Sequence, residues 1–199
     1  MDALVNTPAL GTVAGYLSRL TVALETLRHG ELDAIVDRLL DAWQRGAQVF
    51  ICGNGGSAAT ASHFACDLGK GTIQPGRRRI RAISLSDAIP TMTAWANDSD
   101  YSEIFVQQLI NLMNPGDLVI GISGSGNSPN VLKAIEYARD HGAHTIGLIG
   151  FAGGKLKDLA AQSVIVPADC IQIVEDVHMA IEHTVCMSLY ARMQAAPAA

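Results

Sequence analysis

The chain has 199 residues, of which 49% are apolar and 17% charged, with a net charge of −5. That length suits one domain with an ample core and leaves two cramped, and the acidic balance argues against a general nucleic-acid binder. No basic leader followed by an apolar stretch opens the sequence, and no apolar run is long enough to cross a bilayer, so a cytoplasmic protein without membrane contact is expected. Four cysteines, Cys52, Cys66, Cys170 and Cys186, lack metal or redox spacing and are expected as reduced thiols.

Residues 1–45 read as helical. Leu32, Ile35, Val36, Leu39, Leu40 and Trp43 recur on one face of a helix, residues 13–27 form an earlier helix, and His29-Gly30 reads as the break. Such an apolar hairpin packs either on its own domain or against a second copy. From Gln48 onward, short apolar runs alternate with polar or glycine-rich turns and helical patterns. Strands are expected at 49–52, 81–85, 118–122, 145–149 and 163–166. Helices are expected from Ser57 to Leu68 and over 90–96, 102–112, 130–141, 155–161 and 173–193, with a frayed tail at 194–199. Strands alternating with helices demand a parallel sheet covered on both faces, a three-layer α/β/α sandwich. The run Arg77, Arg78, Arg79 and Arg81 reads as a solvated loop or strand edge, or as a partner for acidic groups of another subunit.

Two strand-to-helix turns carry the first chemical signal: Gly53-Asn54-Gly55-Gly56-Ser57 and Ser123-Gly124-Ser125-Gly126-Asn127-Ser128-Pro129. In open parallel sheets ligands bind at the carboxyl ends of strands, where these turns fall. Glycine lets the backbone approach a ligand, the amides of the following helix attract phosphate, and the hydroxyls of Ser57, Ser123, Ser125 and Ser128 add donors without fixed charge. Neither turn is a Walker loop or a dinucleotide fingerprint, so no nucleotide cofactor is expected.

The second signal is ionisable. His63 and Asp67 stand at i, i+4 on the helix after the first turn. Their spacing fits metal ligands, an acid–base couple or a simple ion pair. The last helix carries Glu175, Asp176, His178, Glu182 and His183 among apolar neighbours, with no basic residue until Arg192. Spacing leaves a site and a solvated acidic face both open.

The segments GNGGSAATASHFACDL, ISLSD…TAWAND, GDLVIGISGSGNSPNVLKAIEYA and VEDVHMAIEH, taken together and in this order, resemble the sugar isomerase (SIS) domain. Within it the sequence is most similar to the sedoheptulose 7-phosphate, or phosphoheptose, isomerases. The resemblance runs from about Gln48 to Ala191 and extends to the N-terminal helical pair. It implies a flavodoxin-like sandwich and interconversion of a ketose 7-phosphate with its aldose through an enediol. It also implies a homotetramer with sites at subunit contacts, and a bound Zn²⁺.

On this resemblance the substrate is held by Asn54, Gly55, Gly56, Ser57, Ser123, Gly124, Ser125 and Ser128, with Asn97, Asp98 and Glu175 at the sugar. The metal is held by His63, Asp67, Glu175 and His183, with Asp67 as base and His183 as acid. Asp67 stands where the family has glutamate, Glu175 where it has glutamine, and the second turn lacks the family's threonine. The chain divides into a helical arm packing in the oligomer (1–45), the phosphosugar-binding domain (46–193) and a tail (194–199). Two alternatives remain beside the heptose isomerase: a non-catalytic phosphosugar-binding or replication-initiator-associated scaffold, and an isomerase of a hexulose or amino-sugar phosphate.

Overall fold

The computed structural model describes residues 11–196. Two helices come first, α1 (Val13–Glu25) and α2 (His29–Arg45). The break between them falls at Thr26 and the extended Arg28, so Gly30 lies within the first turn of α2 instead of ending a helix. Five strands follow: β1 (Gln48–Cys52), β2 (Arg81–Ser84), β3 (Leu118–Ser123), β4 (His144–Gly150) and β5 (Gln162–Val166). Between and after them come α3 (Gly56–Cys66), α4 (Ile89–Asp98), α5 (Val106–Leu112), α6 (Pro129–Asp140), α7 (Leu156–Leu159) and α8 (Ile171–Ala195).

The strands form one parallel sheet in the order β2-β1-β3-β4-β5. Alternate residues feed two cores. Val49, Ile51, Ile120 and Leu148 face a layer built from α2, α3 and α8, whereas Phe50, Cys52, Val119 and Ile149 face α5, α6 and α7. Helices α3 and α6, which follow adjacent strands β1 and β3, therefore leave the sheet on opposite faces. Their start points open a crevice at the carboxyl edge, the topological switch where ligands bind in such sheets.

The apolar stripe of α2 is spent inside the domain: Leu32, Ile35, Val36, Leu39 and Trp43 are buried against the sheet and α8. At roughly 1.5–3 kcal/mol for each large side chain, that stripe anchors α2 to its own core. Helix α1 differs, leaving Val13, Leu17 and Leu24 exposed. The arginine run is structural. Arg77 donates to the carbonyls of Met193 and Ala196 at the end of α8, Arg78 to Gln44 at the end of α2, and Arg81 to Gly46. Cationic groups there complement the negative helix ends.

Other boundaries moved for local reasons. The segment expected as one helix over 102–112 is a 3₁₀ turn (Tyr101–Glu103), capped by the Asp100 carboxylate, followed by α5. After Cys66 the chain widens into a π-helical turn, Asp67–Gly71. The last helix runs through Gln194 to Ala195, so the first two residues of the expected tail are helical, while residues 197–199, like 1–10 of the arm, lie outside the described residues.

Candidate active site

Each glycine-rich turn is shaped by a backbone that side chains would obstruct. Gly55 takes φ +57°, a conformation natural only to glycine, and Gly126 takes φ +64°. A methyl group on Gly126 would lie 2.1 Å from the carbonyl oxygen of Gly153, so the second turn is wedged against the loop after β4. Within that turn the Gly126 N–H donates to Ser123 Oγ at 3.1 Å, and Ser123 and Ser128 hydroxyls lie 3.0 Å apart. Ser128 begins α6 without spending its hydroxyl on the cap. Ser57 and Ser123 are buried, Ser125 is exposed. The two turns are tied together: Asn54 and Asn130 exchange reciprocal side-chain amide hydrogen bonds of 2.9 and 2.8 Å, and Tyr101 donates to Asn54 at 3.1 Å. The Asn54 side chain, expected at the substrate, also braces the two loops, and Asn130 is the partner in that brace that sequence reading missed.

Helices α3 and α8 run side by side in the same direction from this edge. At their starts, Gly56 faces Glu175 so closely that a methyl group on Gly56 would lie 2.3 Å from the Glu175 carboxylate. Further down, roughly 10 Å of helix rise from Gly56, the same two helices bring His63 to His183, ring centroids 5.0 Å apart and edge-on.

Asp67 completes this group from α3's side, at the first residue of the π turn, its Oδ2 3.7 Å from His63 Nε2. From α8 the fourth member is Glu182, whose Oε1 lies 3.1 Å from His183 Nε2 and 3.6 Å from His63 Nε2. One donor atom from each of these four residues lies within 4.8 Å of the others, a spacing that can hold a cation. Of the four metal ligands expected from the sequence, His63, Asp67 and His183 are brought together. Glu175 is not among them: it lies two helical turns up α8, against Gly56. Asn97 and Asp98 close α4, exposed and bonded to each other instead of to either turn.

The electrostatics are set by burial. Both histidines and Asp67 retain solvent-facing surface, whereas the Glu182 side chain has none. Burial, and then the neighbouring Asp67 carboxylate, push Glu182 up to about 7. Burial and the same two carboxylates raise the thiol of Cys186, whose Sγ lies 3.8 Å from Glu182 Oε2. One face of α8 reads Val174, His178, Ile181, Glu182, Val185 and Leu189, all buried. A carboxylate on such a stripe is the signal that could have singled out Glu182 from sequence.

Known proteins resemble this chain in sequence and in fold. The SIS domain family profile matches residues 14–150. The phosphoheptose isomerase of Helicobacter pylori strain P12 is 43% identical over 164 residues, 82% of this chain and 84% of that protein. A probable phosphoheptose isomerase of Thermoplasma acidophilum is 37% identical, over 86% of this chain and 91% of its own length. Among solved structures, the phosphoheptose isomerase of Neisseria gonorrhoeae superposes with a TM-score of 0.83 at 28% identity, covering 90% of this chain and 97% of that one.

Proposed function

The chain belongs to the SIS-domain family and, within it, to the phosphoheptose isomerases, and on that premise we propose that it interconverts sedoheptulose 7-phosphate with a glycero-manno-heptose 7-phosphate through an enediol. The observation that carries this reading is the layout of α3. One helix begins in a phosphate-type turn at Ser57 and presents His63 and Asp67 one to three turns on, opposite His183 of the parallel helix α8. A terminal phosphate held by the hydroxyls of Ser57, Ser123, Ser125 and Ser128 and by the amides at the start of α3 leaves the far end of a seven-carbon sugar in reach of the cluster.

Isomerisation needs one base to carry a proton between C1 and C2 and one group to move the hydroxyl proton. Asp67 is suited to the first task, being part-exposed and beside the cluster. His183 is suited to the second, with an exposed ring that can accept and return a proton. Glu175, on α8 and packed against Gly56 at the start of α3, stands beside the first glycine-rich turn, where it can accept hydrogen bonds from sugar hydroxyls. The cluster's donors, two imidazoles with carboxylates, suit Zn²⁺, with His63 and His183 as ligands. When bound, Zn²⁺ would polarise the substrate carbonyl as a Lewis acid.

The working form is a homotetramer in the cytoplasm. The exposed apolar face of α1 supports assembly, and four free cysteines suit a reducing compartment.

Proton exchange at C2 of sedoheptulose 7-phosphate's aldose product, followed in deuterated water, tests the activity. The parent protein exchanges, Asp67→Asn does not while still gaining thermal stability from the sugar phosphate, and Asp67→Glu retains exchange. No exchange by the parent protein would defeat the isomerase reading, and full exchange by Asp67→Asn would move the base elsewhere.

A further inference from the structure

Three donor atoms of the cluster already stand at the spacing that a small cation imposes. His183 Nε2 and Glu182 Oε1 are 3.1 Å apart, His63 Nε2 and His183 Nε2 3.3 Å, and His63 Nε2 and Glu182 Oε1 3.6 Å. Tetrahedral zinc with nitrogen and oxygen ligands at about 2.0–2.2 Å sets those ligands roughly 3.4 Å from one another. Asp67 meets this triangle at one corner only: its Oδ2 lies 3.7 Å from His63 Nε2, and among the described residues it makes no ion-pair contact with His183.

An independent observation concerns what Glu182 lacks. Its side chain is wholly buried, yet Oε1 has no hydrogen-bond partner among the described residues. A buried carboxylate oxygen left without a donor is costly, and such groups are rare unless something else meets them. Its position on α8 asks for an apolar residue, because Ile181, Val185 and Leu189 around it are core. The two imidazole Nε2 atoms that face Oε1 also face each other, which two protonated rings would not tolerate. A shared cation satisfies all three atoms at once.

Resting on the isomerase reading of this centre, we infer that Glu182, and neither Glu175 nor Asp67, is the carboxylate ligand of a divalent cation held with His63 and His183. The three-residue set leaves a fourth coordination position open, as catalytic zinc sites do, on the side where both histidines are exposed. It also releases Asp67 from a double duty. A carboxylate bound to a cation is a poor proton acceptor, so a ligand set without Asp67 is what allows Asp67 to act as the base.

The test uses zinc alone, so it stands apart from turnover. Full-length protein is stripped with a chelator and titrated with Zn²⁺ in competition with a chromophoric chelator, while thermal melting is followed with and without the metal. The parent binds one Zn²⁺ per chain. Glu182→Gln weakens binding by on the order of a hundredfold or more, beyond the ~10–100-fold typical of groups that only support a ligand. Glu182→Leu, which occupies the space with no metal-binding atom, abolishes binding. Metal-free Glu182→Leu melts at or above the metal-free parent, because the orphaned buried oxygen is gone. Glu175→Gln and Asp67→Asn stay within about tenfold of the parent. Unchanged zinc affinity in Glu182→Gln and Glu182→Leu overturns the inference. So does a hundredfold loss in Glu175→Gln or Asp67→Asn, a parent that takes up no zinc, or metal-free Glu182→Leu melting well below the metal-free parent. Failure to turn over sedoheptulose 7-phosphate would defeat the proposed activity and leave the zinc result standing.

Discussion

Acid should destabilise this protein in large part through His178. Its side chain is fully buried on the inner face of α8 and neither ring nitrogen has a hydrogen-bond partner among the described residues. Burial lowers its pKa from 6.5 to about 4, and the nearby backbone carbonyl of Ile149 only partly opposes this. The native state therefore binds fewer protons than the unfolded chain between these two values. Stability is complete above pH 6.5 and drains away as pH falls toward 4. At about 1.4 kcal/mol for each pH unit, the whole interval amounts to roughly 3 kcal/mol, of which about 2 kcal/mol is lost between pH 7 and pH 4.5. Replacing His178 with leucine removes the titrating group. Urea unfolding of metal-free protein at one fixed subunit concentration, at pH 7 and pH 4.5, should show the parent losing about 2 kcal/mol more than His178→Leu. At pH 7 the variant should match or exceed the parent, since two unpaired nitrogens have gone. Equal acid losses in the two proteins would mean that His178 is solvated or paired in solution and that the reasoning from burial is wrong.

Two further expectations follow from the turns and the hairpin. Gly126→Ala would press a methyl group to within 2.1 Å of the Gly153 carbonyl in a turn pinned by the Leu156 N–H to Gly126 carbonyl hydrogen bond, whereas Gly55→Ala meets open space. Thermal melting should show a cost of about 3 kcal/mol or more for the first against about 1–2 kcal/mol for the second, with sedoheptulose 7-phosphate no longer stabilising Gly126→Ala. Equal costs would refute the wedge. Deleting residues 1–27 should give a folded species smaller than a tetramer by light scattering, because α1 exposes Val13, Leu17 and Leu24, whereas deleting 1–45 strips core residues from α2 and should yield insoluble protein. A monodisperse monomer for the parent chain would refute the assembly.

The parallel sheet and all five strands were legible because local patterns determine them: buried runs such as residues 118–122 have no other use, and glycine-rich turns punctuate them. The positions of the two glycine-rich turns were legible for the same reason. What escaped depended on the register between elements distant in sequence. Glu175 and Glu182 stand seven residues apart on α8, close to two helical turns, so both point toward the same side and spacing alone could not say which one meets His63. The answer lies in how far α8 is slid along α3. The Asn54–Asn130 brace was hidden for a similar reason, since its two amides stand seventy-six residues apart. The π turn at Asp67 had no local signature, yet it decides where that carboxylate stands.

The cluster joins two helices whose contributing histidines are 120 positions apart in the chain. Everything between them, four of the five strands included, has to be made before the pair can meet. Emerging from the ribosome, the chain can display the first glycine-rich turn early, but it cannot assemble the cluster until α8 has docked beside α3. On the proposed reading, uptake of zinc would therefore report completion of the fold, and a chain cut short within α8 before Glu182 would carry both glycine-rich turns with only half the cluster.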